Sequence, residues 1–239
     1  GGDLFGASFL ARKLAPEYGI TYLTPGAALF KKGHYGRVVG EAFEDMKEFA
    51  ALVKERKRQG ADFIKIMTTG IMDFQTDHTL TGRALREKEV FEMVHIAHEE
   101  GFLVMSHTNG ARACEIAAAC GADSLEHGNF QDEQSLRVLA ECGTLWVPTV
   151  VTVKNLIGCG RYPDRILERI WERTGKMLKA ARALGVSLAL GSDAGACMVG
   201  HGSGLLDEFR AFQEVFPEDK TLISELERGQ RKLECFVRQ

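Results

Sequence analysis

Short apolar runs alternate along this chain with longer segments whose apolar residues recur at helical spacing. FLVMSH and DSLEHG are two such runs, separated by the helix-forming segment 111–120. Each run delivers a histidine, His107 in the first and His127 in the second. Strand, helix and strand make a βαβ unit, whose parallel strands direct their carboxyl ends to one rim of the sheet. We therefore expect the two histidines to lie within reach of one ligand.

The alternation of strands and helices extends over most of the chain. The runs ITYLTPG, ADFIKIMTTG, LWVPTVV and VSLALGSDAG bring the count to about six strands. Apolar spacing predicts the intervening helices at 41–59, 85–100, 132–142, 166–184 and 205–215. This order is typical of an α/β fold with a parallel sheet, and 239 residues suffice for one barrel-type domain.

Two further residues carry chemistry at strand positions. Lys65 stands inside the apolar run ADFIKIMTTG, where a charged side chain is expected only if it is paired or chemically used. Asp193 follows the run VSLALGS. Lys65, His107, His127 and Asp193 would thus come from different strands to one rim, and imidazole and carboxylate groups suit a catalytic divalent metal site.

Composition excludes several classes of function. The formal net charge is −3 and no basic stripe is present, which argues against nucleic acid as a partner. No apolar run approaches the roughly 20 residues that cross a bilayer, and no signal-peptide pattern occurs, so we expect a cytoplasmic protein. The six cysteines lack CxxC spacing, which is typical of reduced thiols.

The motifs GADFIKIMTTG, MSHTNGARACEIAAACGADSLEHG and LALGSDAG, in this order, resemble the amidohydrolase superfamily of metal-dependent TIM-barrel hydrolases. The resemblance is to the branch related to imidazolonepropionase and Xaa-Pro dipeptidases, and it runs to about Phe216. It implies a TIM-barrel-type fold and hydrolysis of a C–N bond in an amide, peptide or cyclic amide. The substrate would be a small-molecule amide or a dipeptide.

The resemblance also implies roles for individual residues. Lys65 would be carboxylated and bridge two divalent metals, with zinc the first expectation, while His107 and His127 would bind one of them. Asp193 would bind the other metal and shuttle the proton. His34 and His201 match positions that approach substrate in the family.

A loop supplies two more candidates for substrate binding. Arg161 and Tyr162 lie in the loop 158–164 and could recognise a carboxylate or an amide, together with the polar loop 73–83. Loops of this kind determine specificity in barrel enzymes.

The sequence departs from the family in one motif, because no His-x-His occurs in it. We therefore expect a truncated barrel at 1–216, lacking its first strands, and a divergent tail at 217–239. The position held by Lys65, His107 and His127 would be the one to bind metal. Exposed sheet edges at ITYL and SLAL predict a homo-oligomer or completion by a missing N-terminal segment.

Two other functions remain open. A non-catalytic remnant could keep the barrel rim for binding or structure. A Schiff-base aldolase could use Lys65 as its nucleophile, because IKIMTTG also resembles the lysine strand of such enzymes. The aldolase leaves His107, His127 and Asp193 without a role.

Overall fold

The computed structural model describes residues 2–237 of the chain. Its strands are β1 (Ala28–Lys31), β2 (Gly40–Phe43), β3 (Ile64–Met67), β4 (Val104–Thr108), β5 (Ser124–His127) and β6 (Leu145–Val147). Its α-helices are α1 (Ala7–Leu14), α2 (Met46–Gln59), α3 (Glu87–Glu99), α4 (Ala111–Ala119), α5 (Glu133–Cys142), α6 (Val151–Lys154), α7 (Asp164–Ala183), α8 (Ser203–Val215) and α9 (Leu222–Glu234).

The six strands form one parallel sheet in the order β2-β1-β3-β4-β5-β6. From β3 onward each strand is followed by a helix that returns the chain, which confirms the predicted α/β architecture. Beyond β6, Leu188 makes a single parallel bridge to Trp146 and extends the sheet by one short segment. The strand carboxyl ends consequently meet at one rim.

Two predictions near the amino terminus are wrong. ITYL is not a strand, because Ile20 and Tyr22 remain exposed and have no sheet partner in the described chain. The strands there are β1, which is almost wholly buried, and β2. Residue 41 therefore begins no helix, and α2 starts at Met46 after Asp45, whose side chain accepts a hydrogen bond from the Glu48 N–H (2.9 Å).

The main hydrophobic core lies between the sheet and its helices. Alternate strand residues point into it, among them Ile64, Ile66, Val104, Leu125 and Trp146. The residues between them face the other way, toward the interior that the curved sheet encloses. The sequence alternation thus separates a packing face from a face that is free for chemistry.

The tail predicted as divergent contains α9, which packs on the rest of the chain. Leu222 and Leu226 belong to the main core, and Gly229 lies directly against the carbonyl of Leu188. The segment that extends the sheet is therefore covered by a helix where an open edge was expected. Gly1 and residues 238–239, the outer ends of the two predicted ranges, lie outside the described residues.

A buried carboxylate joins α8 to the turn after β6. Glu208 is fully buried, and its two oxygens accept hydrogen bonds from the N–H groups of Val150 (3.0 Å) and Val151 (2.9 Å). These are N–H groups at the start of α6 that have no partner within the helix. Burial raises the pKa of Glu208 to about 8, although both backbone N–H groups act in the opposite direction.

This carboxyl group predicts a pH dependence of stability. A glutamate with a raised pKa keeps its proton in the folded state while the unfolded chain has lost it, so the contribution of Glu208 to stability is full below about pH 4.5 and is lost as the pH rises to about 8. We expect a loss of up to about 4 kcal/mol of unfolding free energy across that window. Urea unfolding at several pH values measures it.

The matched variant is Glu208→Gln. Its unfolding free energy, plotted against pH, should change less between pH 5 and pH 8 than that of the parent chain. His98 contributes in the same direction in both proteins, because its hydrogen bond to Asp123 raises its pKa. The difference between the two curves therefore isolates Glu208. Parallel curves would show that Glu208 is ionised in the folded protein.

All six cysteines are free. Within residues 2–237, no helix combines the length and the apolar character needed to cross a membrane.

Candidate functional site

The four residues predicted to bind metal line one cavity of about 730 Å³ at the carboxyl ends of the strands. β3 supplies Lys65, β4 supplies His107 and β5 supplies His127. Asp193 follows the short segment at Leu188. The structure therefore brings the four side chains to one rim.

Strand register explains the arrangement of the inner face. Met67 lies beside His107 in the sheet, His107 beside Glu126, and Glu126 beside Val147. All four line the cavity and form one layer of inward-facing side chains. Lys65 starts one layer deeper and extends its side chain toward this layer.

Lys65 ends in an ion pair with Glu126. Both residues are buried, with 6% and 7% of their surface exposed. The other carboxylate oxygen of Glu126 accepts a hydrogen bond from the Ser124 hydroxyl (2.6 Å). Sequence reasoning missed Glu126, although an acidic residue inside the run DSLEHG is the same anomaly that marked Lys65. Nζ of Lys65 is thus engaged by a carboxylate, and a lysine in its ammonium form has no lone pair to offer a metal.

His107 and His127 lie side by side on the cavity wall, in edge-to-face contact with their ring centroids 4.6 Å apart. The Nε2 atom of His107 lies 3.2 Å from the Gly70 carbonyl oxygen, and the ring of Tyr35 packs on its other side at 5.0 Å. Burial, followed by the electrostatic effects of His127 and of Lys65, holds the pKa of His107 well below its ordinary value. At neutral pH His107 is therefore an uncharged imidazole.

His127 reaches the cavity through an unusual backbone conformation. Alternation along β5 points Glu126 inward, so His127 would point outward, but its φ of 69° lies in the left-handed region. Its carbonyl accepts a hydrogen bond from the Trp146 indole N–H (2.9 Å), and its Nδ1 lies 2.7 Å from the Thr149 hydroxyl. These contacts fix the ring and leave Nε2 for another partner.

The charge state of His127 suits such a partner. Burial and the nearby ammonium group of Lys65 lower its pKa to about 3, so its imidazole is also uncharged at neutral pH. Thr149 and Asp193 share its positive φ, at 49° and 52°. Left-handed conformations of non-glycine residues cluster at functional sites, since the surrounding packing must maintain them.

The donor set fits a metal in part. Two neutral imidazoles are suitable ligands for a divalent ion, and Asp193 offers an exposed carboxylate on the same cavity. In the described part of the chain, however, no three His, Cys, Asp or Glu side chains are grouped closely enough to hold a metal ion. The predicted set of four therefore does not form a complete ligand cage.

The predicted substrate-binding residues occupy different positions. Tyr162 lines the cavity. Arg161 lies above the Tyr162 ring, 5.5 Å from its centroid, with Nη1 3.3 Å from the Sγ of Cys197, which also lines the cavity. His34 contacts the Arg83 carbonyl (3.1 Å), and His201 is exposed in the loop before α8; neither is part of the cavity wall.

No family model matches this chain. An uncharacterized protein of Mycobacterium tuberculosis is 29% identical over 180 residues, which make up 72% of this chain and 47% of that protein. Ochratoxinase of Aspergillus niger is 25% identical over 197 residues, or 80% of this chain and 39% of the enzyme. The chain thus spans about half, or less, of the length of these curated relatives.

Solved structures match over most of the chain. A Xaa-Pro dipeptidase with methionine bound in its active site superposes with a TM-score of 0.76 at 22% identity, covering 98% of this chain and 62% of the dipeptidase. A. niger ochratoxinase gives a TM-score of 0.77 at 20% identity, and the match covers 94% of this chain and 57% of the enzyme. An amidohydrolase gives a TM-score of 0.71 at 22% identity, and the match covers 97% of this chain and 69% of the amidohydrolase. The fold that the sequence resemblance implies is therefore confirmed, because the chain has the fold of these solved structures over a part of their length.

Proposed function

We propose that this chain carries the site of a metal-dependent hydrolase that cleaves an amide C–N bond. The observation that carries the proposal is the pair of uncharged imidazoles of His107 and His127, whose ring centroids lie 4.6 Å apart. The carboxylate of Asp193 lines the same cavity. Their position at the carboxyl ends of parallel strands is where barrel enzymes place their chemistry. Relatives with this fold include ochratoxinase and a Xaa-Pro dipeptidase.

His107 and His127 are the residues that would hold a divalent metal, with zinc the first expectation. Such an ion polarises a carbonyl group and makes water more acidic. Lys65 could join them, as the resemblance implies, only as a carbamate released from Glu126. Thr149 lies 2.7 Å from Nδ1 of His127 and the Gly70 carbonyl 3.2 Å from Nε2 of His107, and these contacts orient the two imidazoles.

We assign the proton transfer to Asp193. Its carboxylate is exposed at the cavity mouth, where it can accept a proton from attacking water and deliver it to the departing nitrogen. The carboxylate also contributes, after burial, to the raised pKa of Tyr35, which packs on His107. Tyr162 on the wall and Arg161 beside it are our candidates for holding the substrate.

The ion pair of Lys65 argues against the aldolase alternative. A Schiff-base lysine must present a free amine to a carbonyl, whereas Nζ of Lys65 is engaged by the Glu126 carboxylate. A non-catalytic remnant differs from the hydrolase in its lack of turnover, which experiment decides.

The test measures amine release from N-acyl amino acids and dipeptides by the chain supplied with zinc, manganese or cobalt. We expect turnover, and a loss of at least about 100-fold in kcat for Asp193→Asn, which removes the proton carrier. Asp207→Asn makes the same change at an exposed surface pair with Arg210 and should leave kcat unchanged. No turnover with any metal, or equal activity of Asp193→Asn, would reject the proposal.

A further inference from the structure

Buried polar groups from three strand ends meet beside His107. Thr69 and Gly70 follow β3. Asn109 follows β4, and Asn129 follows β5. We call these four residues the asparagine network. The side chains of Thr69, Asn109 and Asn129 are buried, with 3%, 1% and 9% of each residue exposed. Buried polar groups need hydrogen-bond partners, so the connections within the network determine how each group is oriented.

A backbone donor fixes the orientation of the Asn109 side-chain amide. The N–H of Asn129 donates a hydrogen bond to one end of this amide (3.0 Å), and the side-chain Nδ2 of Asn129 donates to the same end (2.9 Å). A backbone N–H can only donate, so this end of the Asn109 amide is the oxygen Oδ1. The other end, Nδ2, donates to the carbonyl oxygen of Gly70 (3.1 Å).

Asn109 holds the Gly70 carbonyl by a second route as well. Its backbone N–H donates to the hydroxyl oxygen of Thr69 (3.0 Å), and that hydroxyl donates to the Gly70 carbonyl (2.9 Å). Gly70 also lies directly against Thr81, because a Cβ atom at position 70 would be 1.4 Å from the Thr81 carbonyl oxygen. The Gly70 carbonyl is therefore held in one position by hydrogen bonds and by packing.

The position of this carbonyl determines which nitrogen of His107 carries the proton. An uncharged imidazole has one N–H and one nitrogen with a lone pair. Nε2 lies 3.2 Å from the Gly70 oxygen, which can only accept, so the proton is on Nε2 and the lone pair is on Nδ1. Nδ2 of Asn109 lies farther from Nε2 (3.4 Å) than from the oxygen (3.1 Å), so both N–H groups converge on the carbonyl.

We propose that Asn109 is a positioning residue that sets the tautomer of His107 through the Gly70 carbonyl. The inference rests on the proposed hydrolase function, in which His107 would hold a divalent metal, because an imidazole binds metal through the nitrogen that lacks the proton. Asn109 lines the cavity, but both ends of its amide are engaged within the asparagine network. It therefore acts on the metal site through Gly70 and His107.

The tautomer can be measured without metal or substrate. The full chain carries isotope-labelled histidine and is treated with chelator, and long-range proton–nitrogen NMR at neutral pH distinguishes the protonated ring nitrogen from the one with a lone pair. The signals of His107 are identified by their loss in His107→Gln. In the parent chain the Nε2–H form should exceed the Nδ1–H form by at least about tenfold, the effect of one net hydrogen bond. A mainly Nδ1-protonated His107 would overturn the proposal.

Asn109→Leu removes the amide and keeps a side chain of similar size. The ratio of the two His107 tautomers should shift by about tenfold toward Nδ1–H, because the Gly70 carbonyl loses its direct hold. Zinc affinity, measured by calorimetry, should fall by roughly 10–100-fold. Thr69→Val removes only the hydroxyl that connects the Asn109 backbone to the carbonyl. It should shift the tautomer ratio in the same direction by a smaller factor, and it serves if Asn109→Leu does not fold.

Asn155→Leu is the matched control. Nδ2 of Asn155 also donates to a backbone carbonyl, that of Met198 (3.0 Å), outside the asparagine network. This variant should keep the parent's His107 tautomer and zinc affinity. An unchanged tautomer ratio in folded Asn109→Leu and Thr69→Val proteins would overturn the proposal. An equal shift in Asn155→Leu would also overturn it, since any lost side-chain amide would then have the same effect.

The positioning role and the hydrolase function fail separately. A His107 tautomer that responds to Asn109→Leu, in a chain that turns over no amide, would reject the hydrolase and retain the positioning role. Turnover of amides by a chain whose His107 tautomer does not respond to Asn109→Leu would reject the positioning role and retain the hydrolase.

Discussion

Lys65→Met should lower the free energy of unfolding by about 3–5 kcal/mol, because it leaves the buried carboxylate of Glu126 without its charged partner. One hydrogen bond, from the Ser124 hydroxyl, remains to that carboxylate. The measurement is equilibrium unfolding in urea at pH 7, with circular dichroism as the signal.

The double variant Lys65→Met/Glu126→Leu separates charge pairing from packing. Replacing both charges by apolar side chains removes the isolated carboxylate, so most of the stability should return. Lys32→Met provides the surface comparison, since Lys32 and Glu44 form an exposed pair and its loss should be undetectable. A Lys65→Met protein as stable as the parent would contradict the buried pair.

Gly229→Ala is expected to destabilise the chain by at least about 3 kcal/mol, through overpacking against backbone that cannot retreat. A Cβ atom at this position would lie 1.8 Å from the Leu188 carbonyl oxygen and 2.6 Å from its carbonyl carbon. α9 would have to move away from the sheet, exposing Leu222 and Leu226. Urea unfolding and protease sensitivity of the last helix report the effect.

Gly175→Ala is the matched control in α7. Its Cβ would meet the nearest neighbour, the Val215 side chain, at an ordinary 3.5 Å. Because alanine is the better helix former, we expect about 0.5–1 kcal/mol of added stability. If both glycines responded alike, α9 would not pack on the sheet as described.

The sequence predicted the rim of the site well, for a physical reason. Strand alternation and the βαβ order fix which residues lie at strand ends, and they do so without knowledge of the loops. They predict that Lys65, His107, His127 and Asp193 share one rim. In the structure, all four residues line one cavity. Their roles as metal ligands stay a prediction. The left-handed conformation of His127 has no sequence signature of its own, since positive φ is uncommon for every residue type except glycine.

The errors have equally physical causes. ITYL has strand composition but no neighbour to cover it, whereas the less typical GEAF forms β2 because β1 pairs with it. Glu126 pairs with Lys65 across the intervening strand β4, and the sequence of one strand does not show such a contact. The asparagine network depends on how the turns after three strands meet, as in the hydrogen bonds of Asn109, and no periodicity encodes those contacts.

The most direct test of the central claim is metal content, measured by plasma mass spectrometry on the chain purified without chelator. The parent should carry zinc or another divalent metal near stoichiometry, and the His107→Ala/His127→Ala variant should carry none. His95→Ala/His98→Ala, which removes two histidines from the surface of α3, should retain the parent's content. No metal in the parent chain, or undiminished metal in the His107→Ala/His127→Ala variant, would contradict the account.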